Sequence, residues 1–131
     1  MTPLILVIED NEQNLYLTTF LLEKGGYAVA YARDGQDGIA LADRLRPALI
    51  LLDIQLPVMD GYAVAQALRS NPTLSTIPIV AVTSYALVGD RERILAAGCT
   101  GYIEKPINPE TFVAEVEQHL SVPGAEVKDT V

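Results

Sequence analysis

Short runs of apolar residues recur along the chain, separated by amphipathic and turn-forming segments. Three of the runs are almost continuously aliphatic, which is typical of strands buried on both faces of a parallel sheet. Two others are more mixed and suit the edges of such a sheet. The five predicted strands are, in chain order, LILVI at 4–8, YAVAYA at 27–32, ALILL at 48–52, IVAVT at 79–83 and GYIEK at 101–105.

Between these strands, apolar residues recur at the three- and four-residue spacing of an amphipathic helix. Gly25-Gly26 and Pro47 favour the ends of the first two helices, and Asn108-Pro109 favours the start of the last. The predicted helices cover 12–24, whose apolar stripe includes Phe20, then 36–45, 62–69, 90–97 and 109–120.

Strict alternation of strands and helices predicts an α/β fold with a parallel sheet covered on both faces. For 131 residues, half of them hydrophobic, we expect one flavodoxin-like, doubly wound domain with five flanking helices and strand order 2-1-3-4-5. The domain should span 1–121, and Pro123-Gly124 favours a short C-terminal tail at 122–131. Ligands of such sheets bind beyond the carboxyl ends of the strands.

Charge and cysteine content narrow the range of partners. Nine basic against seventeen acidic residues give a net charge of -8, which disfavours binding to nucleic acid or to an anionic membrane. The single cysteine excludes an intrachain disulfide and favours a reducing, cytoplasmic setting. No apolar run approaches the roughly 20 residues of a transmembrane helix, and the N-terminus lacks the basic start of a secretory signal.

Polar side chains occupy the ends of four predicted strands, so they should meet at one edge of the sheet. Clustered carboxylates repel one another unless a cation or a proton intervenes, and an all-oxygen set favours Mg²⁺. A carboxylate beside Mg²⁺ and a lysine can act as a nucleophile and form an aspartyl-phosphate. The residues are Glu9 and Asp10 after the first strand, Asp53 after the third, Thr83 and Ser84 at the fourth, and Lys105 and Pro106 at the fifth.

Four motifs, VIEDN, LLDIQLPVMDG, VAVTSYA and YIEKPI, together resemble the receiver domain of two-component response regulators. One motif alone is weak evidence, whereas four in the right order, each at a strand end, are specific. The resemblance covers about residues 4–120 and is greatest to stand-alone receivers of the CheY and DivK type. It implies a phosphorylation-dependent switch without an output domain, which is not an enzyme in the ordinary sense but catalyses its own phosphoryl transfer and dephosphorylation.

The resemblance also implies a role for each site residue. Asp53 is the expected phosphoacceptor, and Mg²⁺ is the expected cofactor. The expected metal ligands are Asp10, Asp53 and the backbone carbonyl of Gln55, with Glu9 binding directly or through water. Lys105 and Thr83 are expected to contact phosphoryl oxygens. Tyr102 is the expected switch aromatic, coupled to Thr83, and Pro106 is the expected cis proline. Gln55 and Tyr85 are expected to lie beside the path of the hydrolytic water.

The partners follow from the same resemblance. A histidine kinase or a histidine phosphotransfer protein would donate the phosphoryl group. A downstream protein would bind the face formed by helix four, strand five and helix five, at roughly 86–120. The chain would be a monomer or a weak dimer. Its pathway stays open among cell-cycle or polarity control, chemotaxis and phosphorelay.

Three other classes share parts of this pattern. A haloacid-dehalogenase-like, Mg²⁺-dependent phosphatase would need a second acid two residues after the nucleophile, where this chain has Gln55. A flavin carrier would need a phosphate-binding first loop, where Glu9 and Asp10 would repel the phosphate. A pseudo-receiver that serves only as an interaction module would lack one of the site residues, and all of them are present.

Overall fold

A computed structural model describes residues 2–84 and 87–120 of the chain. Five strands and five α-helices alternate along it, with one short 3₁₀ helix between the third helix and the fourth strand. In chain order the elements are β1 (Leu4–Ile8), α1 (Glu12–Lys24), β2 (Ala28–Ala32), α2 (Gly35–Leu45), β3 (Leu49–Asp53), α3 (Gly61–Arg69), the 3₁₀ helix (Pro72–Leu74), β4 (Ile79–Thr83), α4 (Val88–Ala96), β5 (Gly101–Glu104) and α5 (Phe112–Glu117).

All neighbouring strands are parallel, and the sheet has the order β2-β1-β3-β4-β5. The predicted fold class and strand order are therefore confirmed, and the two mixed strands are the edges. β1 and β3 lie side by side at the switch point, where the connections run to opposite sides of the sheet. Their carboxyl ends carry the acids that the sequence places there.

The core is divided by the sheet into two layers. Side chains of β3 alternate between them, because successive residues of a strand point to opposite faces. Ile50 and Leu52 pack in the larger layer with α2, α3 and α4. Leu49 and Leu51 pack in the other layer with residues of α1 and α5. Burial on both faces explains why this strand is continuously aliphatic up to Asp53.

Apart from shifts of one or two residues at the ends of α2, α3 and α4, two helices differ from the prediction. The last covers Phe112–Glu117 instead of 109–120, and it begins late because Asn108 forms a separate turn. The Asn108 side chain accepts from the N–H of Glu110, and its carbonyl accepts from the N–H groups of Thr111 and Phe112. In α1 the predicted stripe is wrong at Phe20, which is 50% exposed.

The reason for the second difference is the phase of the helix. Leu15, Thr18 and Leu22 are the buried positions of α1, at spacings of three and four residues. Phe20 lies on a different side of this helix. Thr18 is polar although it occupies a core position. The pattern of hydrophobic residues therefore does not show which side of α1 is buried.

Two of the predictions fall on residues outside the described part of the chain. They are the C-terminal tail at 122–131 and the position of Tyr85. Within the described residues, no helix is both long enough and apolar enough to cross a membrane.

Candidate functional site

Asp53 is the last residue of β3, and it is almost completely buried, with 3% of its surface exposed. Its carboxylate oxygen Oδ1 accepts a hydrogen bond of 2.9 Å from the backbone N–H of Gln55. The chain therefore turns sharply after the strand. The carboxylate is held at the edge of the sheet by its own loop, with its direction fixed by a backbone donor.

Two acids after β1 lie next to Asp53. Carboxylate oxygens of Glu9, Asp10 and Asp53 all lie within 4.8 Å of one another. Glu9 is buried, and its Oε2 accepts from the N–H of Asn11 at 3.1 Å. Asp10 is half-buried. The structure thus brings together the three acids that the sequence predicts.

Lys105 supplies the facing positive charge. Its ammonium Nζ lies 3.3 Å from Oδ1 of Asp53 and 3.8 Å from Oε1 of Glu9. Its backbone N–H donates to the carbonyl of Thr83 at 2.8 Å, which ties the end of β5 to the end of β4. The peptide bond from Lys105 to Pro106 is cis, as expected.

The acid cluster disturbs the ionisation of Glu9. Burial is the largest cause, followed by the hydrogen bond with Asp53 and the repulsion from its charge, and together they raise the pKa of Glu9 from 4.5 to about 7. The N–H of Asn11 and the charge of Lys105 act in the opposite direction. The carboxyl groups of Glu9 and Asp53 are therefore close enough that the ionised form of both is favoured only when a further cation is present.

This donor set fits Mg²⁺. Three carboxylates and the backbone carbonyl expected from Gln55 are hard oxygen ligands, which Mg²⁺ binds while it keeps several waters. Three carboxylates face the single ammonium of Lys105 here, so a bound cation would reduce their repulsion. The acids are close enough together to share one ion.

Thr83, Ser84 and Gln55 close the side of the site next to β4. Thr83 is the last residue of β4 and is 1% exposed. The backbone N–H of Ser84 donates to the side-chain Oε1 of Gln55 at 3.3 Å. The Gln55 side chain therefore connects the loop after β3 with the loop after β4.

Tyr102 lies on β5, which β4 separates from the strand that carries Asp53, and it is half-buried against the larger core layer. The Arg91 guanidinium carbon lies 5.5 Å from the centre of its ring. Arg91 also forms an ion pair with Glu104 at 3.7 Å. Tyr102 is thus in contact with α4 rather than with the acid cluster.

The prediction missed Arg33, which also belongs to this edge of the sheet. Its Nη2 donates to the backbone carbonyl of Asp10 at 3.3 Å. A signal was present in the sequence, because Arg33 directly follows β2. The predicted site residues lie at the ends of the other four strands.

Comparisons with known proteins agree with this geometry. Residues 5–117 match the family described as the response regulator receiver domain. The chain belongs to the response regulator receiver family. It is 41% identical to the polar-differentiation response regulator DivK of Brucella ovis over 120 residues, which are 92% of this chain and 98% of that protein.

Solved structures extend the agreement to the whole fold. The chemotaxis protein CheY4 of Vibrio cholerae matches this receiver with a TM-score of 0.88 and 28% identity, over 92% of this chain and all of that chain. The receiver domain of the sensor histidine kinase PA1611 of Pseudomonas aeruginosa matches with a TM-score of 0.83 and 34% identity, over 91% and 98% of the two chains. That structure has a magnesium ion coordinated in its active-site cleft.

Membership of the family establishes the kind of function. A receiver domain acts in phosphorylation-dependent signalling with histidine kinases or phosphotransfer proteins, and it is not an enzyme of the ordinary kind. The phosphatase, flavin-carrier and pseudo-receiver alternatives are not favoured by these matches.

Proposed function

We propose that this receiver is switched by phosphorylation of Asp53. One observation carries the proposal: a buried carboxylate at the end of β3 faces the ammonium of Lys105 at 3.3 Å, inside a cluster of three acids. Structural ion pairs are not usually accompanied by two extra buried or half-buried acids, since these add repulsion. Such a cluster is useful where a cation and a phosphoryl group are bound in turn.

The proposed donor is a phosphohistidine of a histidine kinase or histidine phosphotransfer protein. An Asp53 oxygen forms a bond to phosphorus while the bond from phosphorus to the imidazole nitrogen breaks, and the electron pair stays on the ring. Lys105 neutralises charge on one phosphoryl oxygen, and the Thr83 hydroxyl donates to another. The same arrangement allows water to remove the group later, so the domain catalyses both steps of its own modification.

Mg²⁺ is the proposed cofactor, and Asp10, Asp53 and the Gln55 carbonyl are its proposed protein ligands. Glu9 is proposed to bind it directly or through water. When bound, the ion neutralises negative charge on the phosphoryl group. The residues themselves hold the donor phosphate in line with Asp53 and keep bulk water away from it.

The proposed output is a change of protein binding on the face formed by α4, β5 and α5. Several apolar side chains there are exposed, namely Leu87, Val88 and Leu95. Arg91 connects this face to Tyr102, which we propose moves when Thr83 engages the phosphate. We further propose a cytoplasmic protein that signals through a protein target and not through nucleic acid or a membrane.

The site assignment is tested by incubating the protein with labelled acetyl phosphate and Mg²⁺. The wild type is expected to take up label, and Asp53→Asn is expected to take up none. Asp60→Asn is a matched control, because Asp60 lies in the same loop and an asparagine can still accept from the N–H of Ala63 to cap α3. Label retained in Asp53→Asn, or lost in Asp60→Asn, would overturn the assignment.

Metal binding and switching are tested without any partner. Asp10→Ala is expected to weaken Mg²⁺ binding in a titration. Asp34→Asn is expected to leave it unchanged, because Asp34 is the N-cap of α2 and an asparagine can still accept from the N–H of Asp37. Beryllofluoride with Mg²⁺ is expected to shift the amide resonances of Thr83 and Tyr102 in the wild type but not in Asp53→Asn. A response confined to the acid cluster would contradict the proposed path through Tyr102.

A further inference from the structure

The two edges of the sheet differ in how they are protected. Unpaired N–H and C=O groups make an edge strand a site for pairing with another chain, and proteins usually protect it with charge or proline. β5 carries Glu104, which is paired with Arg91. β2, at the other edge, has the sequence AVAYA and contains neither a charge nor a proline.

The pairing of β2 with β1 fixes which of its backbone groups face outward. The N–H of Ala28 donates to Pro3, and the carbonyl of Ala32 accepts from Glu9. Because backbone groups alternate sides along a strand, those of Val29 and Tyr31 point away from β1, toward the open edge. Both residues belong to the central part of the strand.

Aromatic side chains surround this edge on the side of α1. They line a groove of about 320 Å³. Tyr16, Phe20 and Tyr31 are 73%, 50% and 56% exposed, and the first two rings stack with centres 6.4 Å apart. The hydroxyl of Thr19 in the same groove is buried without a hydrogen-bond partner. Contiguous exposed apolar surface of this kind marks an interaction site.

The edge is complementary to itself. A twofold axis normal to the sheet at Ala30 would set two copies of β2 antiparallel, with Val29 of one copy opposite Tyr31 of the other. These are the two residues whose backbone groups face outward, so they would exchange both hydrogen bonds of an antiparallel pair. A β-branched side chain opposite an aromatic one is also a favourable cross-strand pair.

The charges beside the edge have the same symmetry. Asp37 lies in the first turn of α2 and Arg44 in its last turn, and both line a groove between α2 and β2. A twofold axis brings opposite ends of this groove together, so Asp37 would meet Arg44 of the second copy, as a closed twofold interface requires.

We propose that β2 is the interface of a homodimer in which two copies form one continuous ten-stranded sheet. The exposed aromatic groups of α1 would then be covered by their counterparts. The net charge of -8 on each chain opposes association, so the dimer forms in a concentration-dependent way. This assignment concerns the edge opposite to the proposed output face and does not depend on phosphorylation.

Sedimentation velocity of the full chain over a concentration series at fixed ionic strength tests the proposal. The wild type is expected to shift from monomer to dimer, and Tyr31→Lys is expected to weaken dimerisation at least tenfold. Leu95→Lys is the matched control, since Leu95 is 53% exposed and lies on α4, away from β2. This variant should dimerise as the wild type does. A wild type that stays monomeric at every concentration would overturn the proposal, as would loss of the dimer in Leu95→Lys alone.

Charge reversal provides a second, independent test on exposed residues. Asp37→Arg and Arg44→Asp are each expected to weaken the dimer, because each sets like charges against one another across the axis. The double variant restores opposite charges and is expected to recover the dimer. Circular dichroism checks that each variant is folded. No recovery in a folded double variant would contradict the antiparallel register.

Discussion

The side-chain oxygen of Gln55 accepts a hydrogen bond of 3.3 Å from the backbone N–H of Ser84. The bond crosses from the loop after β3 to the loop after β4, beside the buried carboxylate of Asp53. Gln55 also stands two residues after the proposed phosphoacceptor, where it can control the approach of water. It therefore has two possible effects on a phosphoryl group, since it can orient a water molecule or keep the site closed.

We predict that the closing effect dominates. Gln55→Ala removes the bond to Ser84 and should let water reach phospho-Asp53 more easily. A neutral hydrogen bond contributes about 1 kcal/mol, so loss of phosphoryl label should be roughly fivefold faster at fixed Mg²⁺. Gln66→Ala, an exposed glutamine on α3, should leave the rate unchanged. A slower rate in Gln55→Ala would show that the side chain instead orients the attacking water.

The raised pKa of Glu9 predicts how stability depends on pH without metal. Because its pKa is 4.5 when exposed and about 7 in the fold, the folded protein binds more protons than the unfolded chain between these values. The free energy of unfolding should therefore fall as pH rises through this range. Glu9→Gln has no such proton to lose and should lose less stability from pH 5 to pH 8.

Urea unfolding at both pH values in the presence of a chelator measures this effect. Glu92→Gln serves as the control, since Glu92 is an exposed acid on α4. It should follow the wild-type pH dependence. If the curve of Glu9→Gln also runs parallel to that of the wild type, Glu9 is not the group that titrates.

Arg69 is predicted to stabilise the fold through backbone carbonyls and not through an acid. Its Nε donates to Gly98 at 2.8 Å, and its Nη1 donates to Ile77 at 2.8 Å and to Leu74 at 3.2 Å. Arg69→Lys keeps the charge but cannot reproduce this planar set of donors. It should lower the free energy of unfolding by about 1.5–3 kcal/mol, the value of a hydrogen bond from a charged group.

The matched change is Arg46→Lys, because the side chain of Arg46 is exposed and donates to one carbonyl, that of Asp43. We expect it to change stability by less than about 0.5 kcal/mol. Chemical denaturation of both variants gives the comparison. Equal effects at the two sites would mean that the carbonyl cluster around Arg69 adds nothing specific.

Gly38 allows α2 to approach β1 closely. A Cβ at this position would lie 2.5 Å from Cδ1 and 2.9 Å from Cγ1 of the fully buried Ile8. Gly38→Ala should therefore destabilise the protein by about 1–3 kcal/mol through overpacking. The same substitution at Gly89, where a Cβ would meet nothing within 4 Å, should instead stabilise α4 by up to about 1 kcal/mol. Thermal unfolding distinguishes the two, and a stabilised Gly38→Ala would refute the packing argument.

The sequence by itself determined the architecture and which chemical groups share one edge of the sheet. Alternating strands and helices leave few topologies, and the carboxyl ends of parallel strands must lie together. The grouping of Asp53, Thr83 and Lys105 follows from that rule with no knowledge of distances. The positions of the strands and helices could be predicted from short stretches of sequence, because the periodicity of each element is set by neighbouring residues.

The tertiary structure alone decided what depends on packing between distant segments. The proton affinity of Glu9 arises from its depth and from Asp53, 44 positions away in the numbering. The bond from Ser84 to Gln55 and the outward position of Phe20 have no local signature. Burial and hydrogen-bond geometry are properties of the assembled fold, because each requires two surfaces that meet only after the chain has folded.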